Sequence, residues 1–284
     1  MIITISNEFL KVEIDSYGAE IKSIVKDNQE YMWSGDPKYW KSTAPILFPM
    51  VSSLLDNKYT YKGKTYSFGQ HGFARRSEFS VVEKSESSVL LRLEQTEKTR
   101  EVYPFDFDFC VSFELKENRL DMNFIVSNTS KTERMYFNTG SHEGYSLFNG
   151  GKISDYYIEF EKKEKLVRML LDRPVFEGET VDLGERDVLV LEDALFEKDG
   201  IFFLNITSDY VTLKSKNGAR SVRVYFDCPN LGFWKVPGGE YLCIEPWDGF
   251  CPFEGDGYEL SEKRFIKTLE PECEYKFYHG IEIE

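Results

Sequence analysis

The chain has 284 residues, with 49 acidic against 35 basic side chains and a net charge of −14. That excess repels phosphate, so nucleic acid and an anionic membrane surface are poor partners. Apolar residues make up only 41 %, but 23 Phe and 17 Tyr supply the area that a core needs.

Taken in chain order, MIITISNEFLKVEI reads as a first strand. It has no basic leader and no apolar run long enough for a signal peptide or a membrane span, which predicts a cytoplasmic protein. Short helices are predicted only around Pro37–Trp40 and Ser261–Lys267. SVLLRLEQ is a strand, and in FDFDFCVSFEL the residues Phe105, Phe107, Phe109, Val111, Phe113 and Leu115 fall at every second position. After the turn KENR, Leu120, Met122, Phe124 and Val126 repeat the pattern, which predicts a long antiparallel hairpin with one buried face. Further strands are legible in DYYIEFEK, GIFFLNI, YVTLKS, SVRVYFD and YKFYHGIEI, punctuated by DNKY, YKGK, SKNGAR and KVPGGE.

Many short strands, no linker and no repeat predict an all-β fold, a large antiparallel β-sandwich forming one domain over residues 1–284. The five cysteines are an odd number without a CxxC pair. Reduced thiols are expected, with a Cys243–Cys251 disulfide left open.

Only three histidines occur. His279, in the terminal strand, reads as structural or exposed. His71 in GQHGFARRSEF and His142 in FNTGSHEGYS lie in polar, glycine-flanked turns, with Arg75 four residues beyond His71. Glycines on either side of His142 would let an imidazole approach a ligand closely. Neither histidine shows the compact spacing of a facial-triad metal site, so no metal and no cofactor is expected. In YLCIEPWDG, Glu245 follows an apolar strand and precedes Pro246 and Trp247. Partial burial there would raise its pKa toward the range of a general base, and Trp247 offers a stacking face for a sugar ring.

Together, GAEIKSI (18–24), EYMWSGDPKYWKSTAPILFP (30–49), QHGFAR (70–75), YPFDF (103–107), GSHEGY (140–145), LGFW (231–234) and CIEPWDG (243–249) resemble the galactose mutarotase, or aldose 1-epimerase, superfamily. The resemblance is to its LacX-type and hexose-6-phosphate mutarotase-related branch, in order along nearly the whole chain. It implies a sugar site on a concave face of the sandwich and cofactor-free interconversion of the α and β anomers of a hexose. Carried over by position, Glu245 is the general base and His142 the general acid. His71 and Arg75 would hold the sugar, and Asp199 would grip a hydroxyl. A carboxylate and a proton-bearing imidazole on opposite sides of the ring would open it.

Two departures stand out. Ser53, in PMVSSLL, occupies the place of an arginine in relatives, which weakens the case for a phosphorylated sugar. Glu143 follows His142 where relatives more often have proline, and would tune His142 if its carboxylate lay close. The first departure motivates an alternative reading as a non-catalytic carbohydrate-binding protein. A glycoside hydrolase or lyase would need a second carboxylate near Glu245, from Asp248, Glu254 or Asp256. A homodimer is left open.

Overall fold

The computed structural model describes residues 1–148, 151–171 and 175–284. The alternating aromatic segment forms the expected hairpin, Phe107–Lys116 against Arg119–Asn128, with Val111 opposite Phe124. Phe107, Phe109, Val111, Leu120, Phe124 and Val126 are fully buried. A period of two puts every apolar side chain of such a segment on one face, and burying that face is what fixes the register.

This hairpin lies in a 14-stranded antiparallel sheet. From it the sheet runs one way through Ser88–Glu94 to Ser80–Lys84, and the other way through Glu274–Ile283, Ser221–Phe226, Tyr210–Ser215 and Tyr156–Met169. It then continues through Ile201–Phe203 and Asn230–Trp234 to Tyr241–Asp248, which carries Thr139–Gly140 and Glu143–Ser146 on its far side. One core cluster joins Phe109, Phe124 and Phe277 of one arm to Phe203, Phe233 and Ile244 of the other. The two arms are therefore the layers of a sandwich.

Three sequence expectations are corrected. MIITISNEFLKVEI is a hairpin, Ile2–Ser6 with Lys11–Asp15, because Asn7 Oδ1 accepts the backbone N–H groups of Phe9 and Leu10 and turns the chain. Pro37–Trp40 is a turn closed by the N–H groups of Tyr39 and Trp40 on the Asp36 carbonyl. Ser261–Lys267 contributes only to the 3₁₀ turn Leu260–Glu262 before a short strand begins at Lys267. The one α-helix among the described residues is Glu97–Val102, capped reciprocally by Thr96 and Thr99. Six residues are too few for helical periodicity to announce it. All five cysteines are free. Among the described residues no helix is long and apolar enough to cross a membrane.

Candidate active site

Glu245 lies inside a strand and not after one. All eight residues of Tyr241–Asp248 are buried, with Leu242 and Ile244 in the main core and Tyr241, Cys243, Glu245 and Trp247 on the other face. On the neighbouring chain segment Gly140 pairs with Trp247 and Glu143 with Ile244. That register sets His142 opposite Glu245. Pro246 has no N–H to give to the ladder. Its carbonyl still accepts the Ser141 N–H at 3.0 Å, so the two segments stay together across the interruption. His142 Nε2 comes to 3.3 Å from Glu245 Oε1.

The imidazole of His142 stacks on Trp40 at 5.1 Å between ring centroids and meets Trp234 edge-on at 5.6 Å. Burial pushes its pKa down to about 3, and the Arg75 guanidinium adds to the fall. Burial also pushes the Glu245 carboxyl well above the usual range, helped by the negative charges of Asp199 and Glu143. Both displacements favour uncharged forms. The pair is therefore a carboxylic acid beside a neutral imidazole, sharing one proton.

His71 stands edge-on to His142, with ring centroids 5.5 Å apart. Its Nδ1 accepts the Ser52 N–H at 3.1 Å, while the His71 backbone N–H donates to the Ser52 carbonyl at 2.7 Å. Burial, with His142 and Arg75 close by, holds its pKa well below the ordinary value. A neutral ring that accepts at Nδ1 carries its proton on Nε2, so His71 offers a ligand a donor. This lock holds His71 at φ +63°, in the left-handed region, and such strain costs on the order of 1–3 kcal/mol. The glycine beside it is obligatory, since a Cβ on Gly72 would lie 2.2 Å from the Phe48 carbonyl oxygen.

These groups line a cavity of about 260 Å³, together with Asp199, Trp247, Ser53, Trp234, Gln70 and Phe202. Five of the six residues singled out in the sequence are therefore brought together. The sixth, Arg75, is half-buried, does not line the cavity and acts on the two histidines through its charge. Asp199 is half-buried, and burial raises its pKa. Trp247 is less of a platform than expected, because Phe202 covers one face of it at 5.2 Å. Its buried indole Nε1 has no hydrogen-bond partner. The more exposed indole is Trp234, and with Trp40 it was missed in the sequence. LGFW carries only the family resemblance, and nothing in its spacing marks Trp234 as a wall.

Two further readings change. Glu143 does not touch His142, because adjacent residues on a strand point to opposite faces. It enters the core and faces His279, Oε2 to Nε2 at 3.1 Å, with both side chains fully buried. His279 is thus structural and not exposed. The glycines flanking His142 make room for the protein's own atoms and not for a ligand. A Cβ on Gly140 would meet the Pro246 carbonyl oxygen at 2.9 Å and Trp247 Cδ1 at 3.1 Å, and one on Gly144 would meet Trp40 at 2.9 Å. Asp248 pairs with Lys267 at 2.7 Å and Asp256 with Arg264 at 2.9 Å. Neither lines the cavity, nor does Glu254, so the hydrolase reading loses its second carboxylate among these three.

The chain matches the aldose 1-epimerase family over residues 1–277. Protein LacX of Lactococcus lactis subsp. lactis, in plasmid and chromosomal forms, is 31 % identical over 288 aligned positions, covering 95 % of each chain. A galactose mutarotase related enzyme from Lactobacillus acidophilus is 34 % identical and superposes with a TM-score of 0.95, covering 100 % of this chain and 97 % of that one. A galactose mutarotase-like protein from Lactobacillus casei is 28 % identical with a TM-score of 0.93 over the full length of both. With likeness running end to end in both sequence and architecture, the chain belongs to the aldose 1-epimerase family, within the galactose mutarotase-like superfamily.

Proposed function

We propose that this chain is an aldose 1-epimerase that interconverts the anomers of a free or simply modified hexose through Glu245 and His142. The observation that carries this reading is the 3.3 Å contact between His142 Nε2 and Glu245 Oε1 in a cavity also lined by His71 and Asp199. The two oxygens that exchange protons, O1 and the ring O5, are bonded to the same sugar carbon. Acid and base must then lie side by side and not on opposite sides of the ring.

In the ring-opening step Glu245 takes the proton of the anomeric hydroxyl while His142 gives one to O5. The C1–O5 bond breaks, its electron pair stays on O5, and C1–O1 becomes the aldehyde. Rotation about C1–C2 presents the other face, and the step then reverses: His142 takes the proton back from O5 while Glu245 returns its proton to O1 as the C1–O5 bond re-forms. The pair needs one proton between its members throughout, which is the state favoured by a raised carboxyl and a lowered imidazole. Transfer of that proton across the 3.3 Å contact prepares carboxylate and imidazolium once sugar hydroxyls replace water beside them. His71 donates to a sugar oxygen, Asp199 accepts from a hydroxyl, and Trp234 and Trp247 wall the apolar edges.

Anomer exchange measured by NMR or polarimetry on glucose, galactose and glucose 6-phosphate tests this. Wild-type protein should accelerate exchange of at least one sugar, and Glu245→Gln should lose about 10²–10⁴-fold of that rate while still binding it. Acceleration untouched by the substitution would sink the assignment. Ser53 on the cavity wall favours the second reading, a carbohydrate-binding protein without turnover. Under that reading sugars would shift protein resonances, but no form of the protein would speed exchange.

A further inference from the structure

One side chain beside the acid–base pair has no part in the proton transfers. Cys243 precedes Glu245 by two residues on the same strand, so both project from one face, and His142 looks onto them from the adjoining segment. A ring nitrogen of His142, the Cys243 sulfur and a Glu245 carboxylate oxygen all lie within 4.8 Å of one another. The three residues are 8 %, 0 % and 1 % exposed. His142 Nδ1 and Glu245 Oε1 have no hydrogen-bond partner in the protein.

We propose that His142, Cys243 and Glu245 form a binding site for a thiophilic divalent cation of the zinc type, and that its occupation reversibly switches the acid–base pair off. Zinc takes nitrogen, oxygen and sulfur ligands tetrahedrally at about 2.0–2.1, 2.0–2.2 and 2.3 Å. Those bond lengths set a nitrogen and an oxygen ligand roughly 3.3–3.5 Å apart, and His142 Nε2 and Glu245 Oε1 already stand at 3.3 Å. The Cys243 sulfur stands within 4.8 Å of the other two ligand atoms and closes in on binding. The fourth position opens on the cavity, where water or a sugar hydroxyl completes the tetrahedron. A mixed imidazole, thiolate and carboxylate set suits zinc, whereas magnesium and calcium favour oxygen ligands alone.

The charges balance. The thiol proton and the proton shared by Glu245 and His142 leave to solvent, and thiolate and carboxylate then neutralise the dication around a neutral imidazole. Both groups that move protons are thereby tied to the metal. The inhibition rests on the epimerase reading above, but the binding does not.

Full-length wild-type protein and Cys243→Ser would be titrated with zinc by calorimetry, and with cobalt by near-ultraviolet absorption for the thiolate-to-metal band. Anomer exchange would be followed in parallel. The expected result is one zinc per chain, a cobalt–thiolate band in the wild type alone, and affinity at least about 100-fold weaker in the variant, since even lost outer-shell partners cost about 10–100-fold. Zinc should stop wild-type exchange and EDTA restore it, while the variant keeps its exchange and resists zinc. Equal affinity in the two proteins, or no thiolate band in the wild type, would overturn the site. Binding with the band but no exchange activity in any form would uphold the site and remove the epimerase reading. Cys243→Ala serves the same purpose if the serine variant does not fold.

Discussion

Burial of His142 has a consequence for stability that can be isolated with one substitution. Its pKa falls from the ordinary 6.5 to about 3 because the folded protein strips water from the ring, and Arg75 opposes a second positive charge. A lowered histidine pKa means that the folded state disfavours the proton. Its contribution to stability is then fully present above pH 6.5 and is lost as pH falls toward about 3. At about 1.4 kcal/mol per pH unit, the whole loss is on the order of 5 kcal/mol, and by pH 4 about 3 kcal/mol of it has gone. Against a total stability of roughly 5–15 kcal/mol this is large. Urea unfolding of wild type and His142→Gln, from pH 7 to pH 4, reads it directly. The wild type should lose about 3 kcal/mol more than the variant over that range. Glu245 shares a proton with His142 and His71 feels its charge, so the difference reads the titration of the coupled group and not of one isolated ring. Glu245, with a raised pKa, acts with the opposite sign, losing stability as pH rises. Parallel curves would refute the reasoning. They would mean that the 3.3 Å contact with Glu245 offsets desolvation and leaves His142 no net shift.

Gly144→Ala should destabilise the fold by about 1–3 kcal/mol, because its Cβ would press on Trp40 and Trp33 at once. Thermal unfolding would show it, and an unchanged midpoint would mean the tryptophans give way freely. Glu143→Ala removes one partner of a contact buried on both sides and leaves the His279 ring unsatisfied, for which a loss of about 1–3 kcal/mol is expected. Removing both partners with apolar replacements should recover much of that loss, and a double-mutant cycle in urea measures the difference.

The fold was legible wherever a single face is buried. In FDFDFCVSFEL the alternation survives into the structure residue by residue, since one side meets the core and the other meets solvent. Tyr241–Asp248 defeats the same reading. Both its faces are covered, so no alternation marks where the strand ends, and Glu245 was placed one step outside it. Local chemistry also hid the N-terminal turn, which depends on one asparagine side chain.

The site was legible by a different route, and its limits follow from that route. Ordered motifs brought His71, His142, Asp199, Glu245 and Trp247 into one cavity, but a motif states which residues matter and not what each one touches. The Gly140 and Gly144 pair reads as clearance for a ligand, yet the atoms that need the space are the Pro246 carbonyl oxygen and the indoles of Trp247 and Trp40. Glu143 looked like a partner for its neighbour, yet strand parity sends it to the opposite layer. The Glu-Pro-Trp order gains a physical meaning only with the register known. Pro246 leaves a gap in the ladder beside Glu245, and His142 occupies the facing position. Proline therefore leaves the ladder one donor short at the position beside the acid–base pair, while its carbonyl, accepting the Ser141 N–H at 3.0 Å, keeps the two segments in the register that sets His142 opposite Glu245.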